Sequence, residues 1–320
     1  MPGPPGRSTV TEAVSRRRAW VMAARPQTLP AGSAPVVVGT GLAVHDGVFA
    51  PLPAVAALVG ALLLQVGTNF ANDYYDAVRG ADTDDREGFT RVTAGGLIEP
   101  AAVKRAMAAA FGLAILVGVY LVSVGGVPIL VVGLAAVVAG ITYTGGPRPY
   151  GYRGLGDPFV FVFFGPVAVA GTYYVQAAAH AGAVLPVWLP PGTLPVGAVV
   201  AGLPAAGLST AILVVNNVRD RETDAAAGKH TLAVVLGYRF SRLEWTGLVG
   251  MAYVVPVVFY LDGYPPAVLF PLVTAPLAGV VGRTVWTRTD GEALNPALER
   301  TGKLLFAHSV LFAAGFAVAP

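Results

Sequence analysis

Two groups of Asn and Asp, each closing an apolar run, are the residues of this 320-residue chain best suited to chemistry. The first is NFANDYYD (69–76) and the second is NNVRDRETD (216–224). On a helix, Asn69, Asn72, Asp73 and Asp76 share an arc of about 100°, and Asn216, Asn217, Asp220 and Asp224 share another. Carboxylates one turn apart with amide oxygens beside them form an incomplete oxygen shell. Mg²⁺ suits such a shell, because it keeps several waters and is commonly held by one or two carboxylates plus substrate phosphate. Asn72, Asp73 and Asp76 are the expected ligands of one ion, and Asn216, Asp220 and Asp224 of another. Two facing clusters could clamp a diphosphate and neutralise the charge that develops as it leaves. Asn69 and Asn217 would steady the ligands by hydrogen bonding. Asp82, Asp84, Asp85 and Glu87 in the following loop could supplement the first site, though for Asp84, Asp85 and Glu87 a solvated surface is the simpler reading.

The elements that must position these groups are membrane helices. Hydrophobic residues make up 55% of the chain and charged residues 12%, against about 25% charged in soluble domains. About 20 apolar residues cross a bilayer as a helix. Nine such runs occur, near 20–44, 52–76, 101–123, 127–144, 158–179, 195–217, 243–261, 266–286 and 302–319. The expectation is an all-α polytopic bundle of about nine transmembrane helices around a central cavity. Residues 1–15 are polar and rich in Pro and Gly, a flexible tail ahead of a transmembrane domain over 16–320. Arg16-Arg17-Arg18 before an apolar stretch resembles a signal peptide, but Arg25-Pro26 and Pro30 interrupt the stretch and it runs on too far.

With nine spans, all 21 Lys and Arg residues fall on the N-terminal tail, on the loops 77–100, 145–157, 218–242 and 287–301, or on adjoining helix ends. The positive-inside rule then places the N-terminus and those loops in the cytoplasm, with the chain in the cell (inner) membrane. This topology accounts for the net charge of +3 without nucleic acid. Both acidic clusters end on that same side. The absence of Cys excludes disulfides, thiolate metal sites and a thiol nucleophile. His45, His180 and His308 stand alone, without further ligands at metal spacing.

The two Asp motifs, at the ends of the second and sixth runs, resemble those of the UbiA superfamily of intramembrane prenyltransferases. The segments WVMAARPQTLPAG (20–32), RGADTDDREGFTR (79–91), YTGGPRPYGYRGLGD (143–157) and NNVRDRETDAAAGKHTLAVVLG (216–237) are similar to the 1,4-dihydroxy-2-naphthoate polyprenyltransferase branch. One departure is Gly88-Phe89, where that branch often carries Gly-Pro. The resemblance implies a bundle open sideways to membrane lipid. It also implies Mg²⁺-dependent transfer from a polyprenyl diphosphate to 1,4-dihydroxy-2-naphthoate, with loss of pyrophosphate and decarboxylation.

On that footing Asp73, Asp76, Asp220, Asp224 and Lys229 form the expected catalytic set. Lys229, in a short loop after Gly228, suits diphosphate as a point charge. Arg79, Arg86 and Arg91 are second choices for it. Tyr74, Tyr75 and Tyr143 are candidates to stabilise an allylic cation through their ring faces. The glycine-rich segment 143–157 would cover the site as a lid, contributing Arg148 and Arg153, with Asp157 either a helix cap or a polar group of the site. Arg25 is the candidate partner of the acceptor carboxylate, and a snorkelling interfacial arginine is its plain alternative. Two other readings stand beside this one. One is a family member with another acceptor, such as 4-hydroxybenzoate. The other is a cation transporter with paired acidic helices, which would be expected to open to both faces.

Overall fold

The computed structural model describes residues 14–80 and 92–318, and among them every regular element is helical. Helices α1 (Arg16–Ala24), α2 (Leu29–His45) and α3 (Pro51–Val78) precede the long α4 (Pro100–Thr142). The short α5 (Gly156–Val162) passes through a π-turn, Phe163–Val167, into α6 (Ala168–His180). Next come α7 (Val196–Val200), α8 (Leu203–Arg219) and the short α9 (Arg221–Ala226). The chain ends with α10 (Leu232–Leu261), a 3₁₀ stretch (Pro266–Thr274) leading into α11 (Ala275–Thr287), and α12 (Gly291–Ala317).

Six helical segments among the described residues are long and apolar enough to cross a membrane. They are reconciled with the nine apolar runs by three features. Helix α4 is broken at Gly126, where φ is 64°. The Phe111 ring of its first arm packs against both Gly67 of α3 and Gly140 of the second arm, so the arms fold back on one another as a hairpin. Each arm accounts for one run. The first run is α1 and α2, and the last is α12. The π-turn in the fifth run lies at Pro166, which has no N–H to continue the helical ladder.

One break follows the sequence expectation and two helix starts differ from it. Pro26 disfavours right-handed helical backbone at the residue before it, and the first run breaks there, with Arg25 in the left-handed region (φ 51°, ψ 67°). Helix α10 starts at Leu232 rather than near 243, capped by the Thr231 hydroxyl accepting from the Val234 N–H, and is kinked at Gly237, where φ is 78°. Helix α12 starts at Gly291 with Asp290 capping the Ala293 N–H. Both helices extend past the apolar stretch, so hydropathy understates them.

Small residues let the helices approach closely, as expected where apolar lipid supplies no hydrophobic drive for association. A methyl on Gly165 would overlap Ala206 of α8, and one on Gly41 would meet Ala313 of α12. At Gly126 a side chain would be strained by φ and would also strike the Pro186 carbonyl, which accepts from the Val127 N–H at 2.9 Å. Gly126→Val is therefore expected to lower thermal stability in detergent by about 1–3 kcal/mol from backbone strain alone. Gly133→Val, on the same helix with open space around it, is expected to leave the melting temperature unchanged.

Candidate active site

The C-terminal end of α3 and the junction of α8 with α9 bring both carboxylate clusters to one end of the bundle. Asp73, Asp76 and Asp220 are each 2% exposed and Asp224 is 8% exposed. Carboxylates so desolvated need donors, and each has them.

In the first cluster, Asp73 Oδ2 accepts from both the backbone N–H (3.2 Å) and the hydroxyl (2.5 Å) of Thr93. Asn72 Oδ1 accepts from the Thr144 hydroxyl at 3.0 Å, and Asp76 Oδ1 from the Tyr152 hydroxyl at 2.5 Å. Asn69 donates to the Ala24 carbonyl and the Thr28 hydroxyl, at 2.9 and 2.8 Å, which ties the break at Arg25 to the cluster.

In the second cluster, the Asp220 N–H caps α8 on the Asn216 carbonyl and the Asp224 N–H bonds the Asp220 carbonyl, holding the motif in helical register. The Arg219 guanidinium forks onto Asp220 (Nε to Oδ1 at 2.7 Å, Nη2 to Oδ2 at 2.8 Å) and also donates to Asn216 and to Asn295 of α12. Lys229 Nζ stands 3.4 Å from Asp224 Oδ1, and its N–H bonds the Asp224 carbonyl. The left-handed Gly228 (φ 72°) makes that turn.

Tyr152 joins the two clusters. Its hydroxyl holds Asp76, its ring lies 4.9 Å from Lys229 Nζ, and its carbonyl accepts from the His230 N–H. Burial, and after it the Asp76 carboxylate, push the Tyr152 hydroxyl above the ordinary phenol range, so it remains a donor at neutral pH. Tyr143 is within electrostatic reach of Asp157, Asp76 and Asp224.

The remaining sequence candidates are placed as follows. Arg79 donates to the Thr144 and Gly146 carbonyls and lies over the Tyr152 ring, so it fastens segment 143–157 onto α3. Tyr74 faces Lys104 of α4, and Tyr75 packs under Gly145. Neither faces the second cluster. Arg148 and Arg153 are exposed on the outer surface of segment 143–157. Arg25 is half-buried at the break beside Asn69. Asn217 is buried on α8. Asp82, Asp84, Asp85, Arg86, Glu87, Phe89 and Arg91 lie outside the described residues.

Four partners escaped the sequence reading: Thr93, Tyr152, Arg219 and Asn295. Arg219 was visible as the one basic residue inside Asn-Asn-x-Arg-Asp, but its bond to Asn295 depends on tertiary packing.

The donor set fits a hard, oxygen-preferring cation. Among the described residues no group of three or more His, Cys, Asp or Glu converges on one point.

Comparison with known proteins decides the family. The UbiA prenyltransferase family matches residues 33–310. This chain belongs to that family. It is 40% identical over 310 residues to the 1,4-dihydroxy-2-naphthoate octaprenyltransferase of Escherichia coli, covering 94% of this chain and 96% of the relative. It is 39% identical over 300 residues to the enzyme of the same description from Mycobacterium tuberculosis, covering 93% and 96%. Among solved structures, a UbiA homolog from Aeropyrum pernix superimposes with a TM-score of 0.66 at 15% identity, over 90% of this chain and 97% of that one. A UbiA homolog from Archaeoglobus fulgidus, solved with DMAPP and Mg²⁺, superimposes with a TM-score of 0.59 at 16% identity, over 92% and 99%. The UbiA chain described here is thus a multi-pass membrane prenyltransferase, and the solved neighbours share its fold.

Within this UbiA fold, Arg219→Gln would leave Asp220 buried without its guanidinium. A loss of about 3–5 kcal/mol in stability is expected, read as a lower melting temperature in detergent. An unchanged melting temperature would show that the fork onto Asp220 and Asn295 does not hold α8 to α12.

Proposed function

We propose that this protein transfers a polyprenyl chain from an allylic polyprenyl diphosphate to 1,4-dihydroxy-2-naphthoate, releasing pyrophosphate and carbon dioxide. The observation that carries this reading is the pair of buried carboxylate clusters held at one end of the bundle, joined by Tyr152 and flanked by Lys229. The naphthoate acceptor is supported by the relatives of that description at 34–40% identity over almost the whole chain.

Asn72, Asp73 and Asp76, with Asn216, Asp220 and Asp224, are the residues that would hold Mg²⁺. The bound cation supplies positive charge against the diphosphate oxygens. Lys229 contributes a further positive charge beside Asp224, where the leaving group would sit. As the C–O bond breaks, its electron pair stays with pyrophosphate, and the ring face of Tyr143 would stabilise the allylic cation. Tyr152 fixes the Asp76 carboxylate from behind, and Arg79 pins the covering segment. Arg25 is the proposed partner of the acceptor carboxylate, with Asn69 and Asn217 orienting groups and Arg91, Arg148 and Arg153 drawing in the diphosphate. The carboxylate end faces the cytoplasm in this reading, by the one-sided distribution of Lys and Arg. The polyprenyl tail lies in membrane lipid.

The test uses purified protein, Mg²⁺, a radiolabelled long-chain polyprenyl diphosphate and candidate acceptors. Prenylated product is expected from dihydroxynaphthoate and is expected to vanish with EDTA. Product from 4-hydroxybenzoate alone would overturn the acceptor assignment. Asp73→Ala and Asp224→Ala should each reduce turnover by orders of magnitude while the protein stays folded. Tyr152→Phe, which removes one donor from Asp76, is expected to weaken apparent Mg²⁺ affinity or turnover by about 10- to 100-fold.

A further inference from the structure

Asp157 opens α5 and is 4% exposed, yet its Oδ1 carries no hydrogen bond among the described residues. A buried carboxylate oxygen without a donor is costly, and Glu244 of α10 is a second carboxylate within electrostatic reach. The oxygen is not remote from the chemistry. The Tyr143 hydroxyl, within electrostatic reach of Asp157 and of Asp76 and Asp224 in the two clusters, also packs 3.2 Å from where a Cβ on Gly156 would lie. Tyr143 thus links the start of α5, where Asp157 stands, to the surroundings of both clusters. Asp157 sits on its own element, α5, and takes no part in bracing the proposed metal ligands. An oxygen that the fold buries without a donor, beside a site that receives a phenol, is a place for the phenol's O–H.

We propose that Asp157 accepts a hydrogen bond from one phenolic hydroxyl of the aromatic acceptor and so orients its ring toward the allylic carbon. This rests on the prenyl-transfer reading above and adds the residue that reads the acceptor. The hydrogen bond draws the O–H toward the carboxylate and makes the ring more electron-rich. When the ring's π electrons form the new C–C bond, the hydroxyl becomes acidic and its proton shifts to Asp157. The ring regains aromaticity as the carboxyl group departs as carbon dioxide, leaving its bonding pair behind, and the proton returns to oxygen.

The test compares wild type with Asp157→Asn, which keeps the side-chain shape and removes its charge. Each is assayed with Mg²⁺, a polyprenyl diphosphate and either dihydroxynaphthoate or each of its two mono-O-methyl ethers. Wild type should lose on the order of 10²-fold in kcat/KM on the ether whose blocked hydroxyl faces Asp157. Asp157→Asn should be slower than wild type on the parent acceptor by a similar factor. It should show no further loss on that ether and an unchanged KM for the polyprenyl diphosphate. Equal discrimination by both enzymes overturns the proposal, as do wild-type kinetics for the variant. Should the variant fail to fold, the wild-type ether series decides, and two ethers used as well as the parent overturn it. Should wild type prenylate a different phenol instead, the ether series is run on that phenol, so the acceptor assignment and the role of Asp157 fail separately.

Discussion

The molecule is organised around the cost of keeping four carboxylates away from water at the edge of an apolar bundle. An unpaired ion there would cost several kcal/mol even after the surroundings relax. The fold answers with donors from every direction: Thr93 to Asp73, Tyr152 to Asp76, Arg219 to Asp220 and Lys229 to Asp224. Tyr152 matters most because it serves both clusters, by its hydroxyl to one and its ring to the cation of the other. Helices α3 and α8 are distant in sequence, and this side chain keeps their polar ends facing each other.

These partners also explain the architecture around them. The segment carrying Tyr152 must lie flat over the ends of α3 and α8, and Arg79 holds it there through the Thr144 and Gly146 carbonyls. Asn69 reaches back to Ala24 and Thr28, so the break that Pro26 imposes on the first run becomes a structural joint. Asn295 extends the Arg219 network to α12, and the last helix is locked to the carboxylate end by its first turns. Close glycine contacts such as Gly165 with Ala206 do the remaining work of assembly within the apolar region.

Much of this is legible in the amino-acid sequence. The helical period alone puts Asp73 with Asp76 and Asp220 with Asp224 on common faces, and apolar run lengths find the spans. Pro26 announces the break at Arg25. What the sequence hides depends on contacts between residues far apart in the chain. Nothing local distinguishes Tyr152 from Tyr150, yet only the former is hydrogen-bonded to a carboxylate. Arg79 resembles a phosphate ligand because its bonds to backbone carbonyls leave no mark in sequence. Hydropathy misses the start of α12 because its first turns are polar, and that of α10 because Arg239, Arg242 and Glu244 separate its apolar first turns from the span.

The far end of the bundle is built differently. Phe259, Phe312 and Phe316 are almost wholly buried there, and Tyr264 stacks on His45 while Tyr173 donates to Asp46. That knot of rings works as a stopper. Aromatic packing thus occupies the bundle end opposite the one where the buried carboxylates gather.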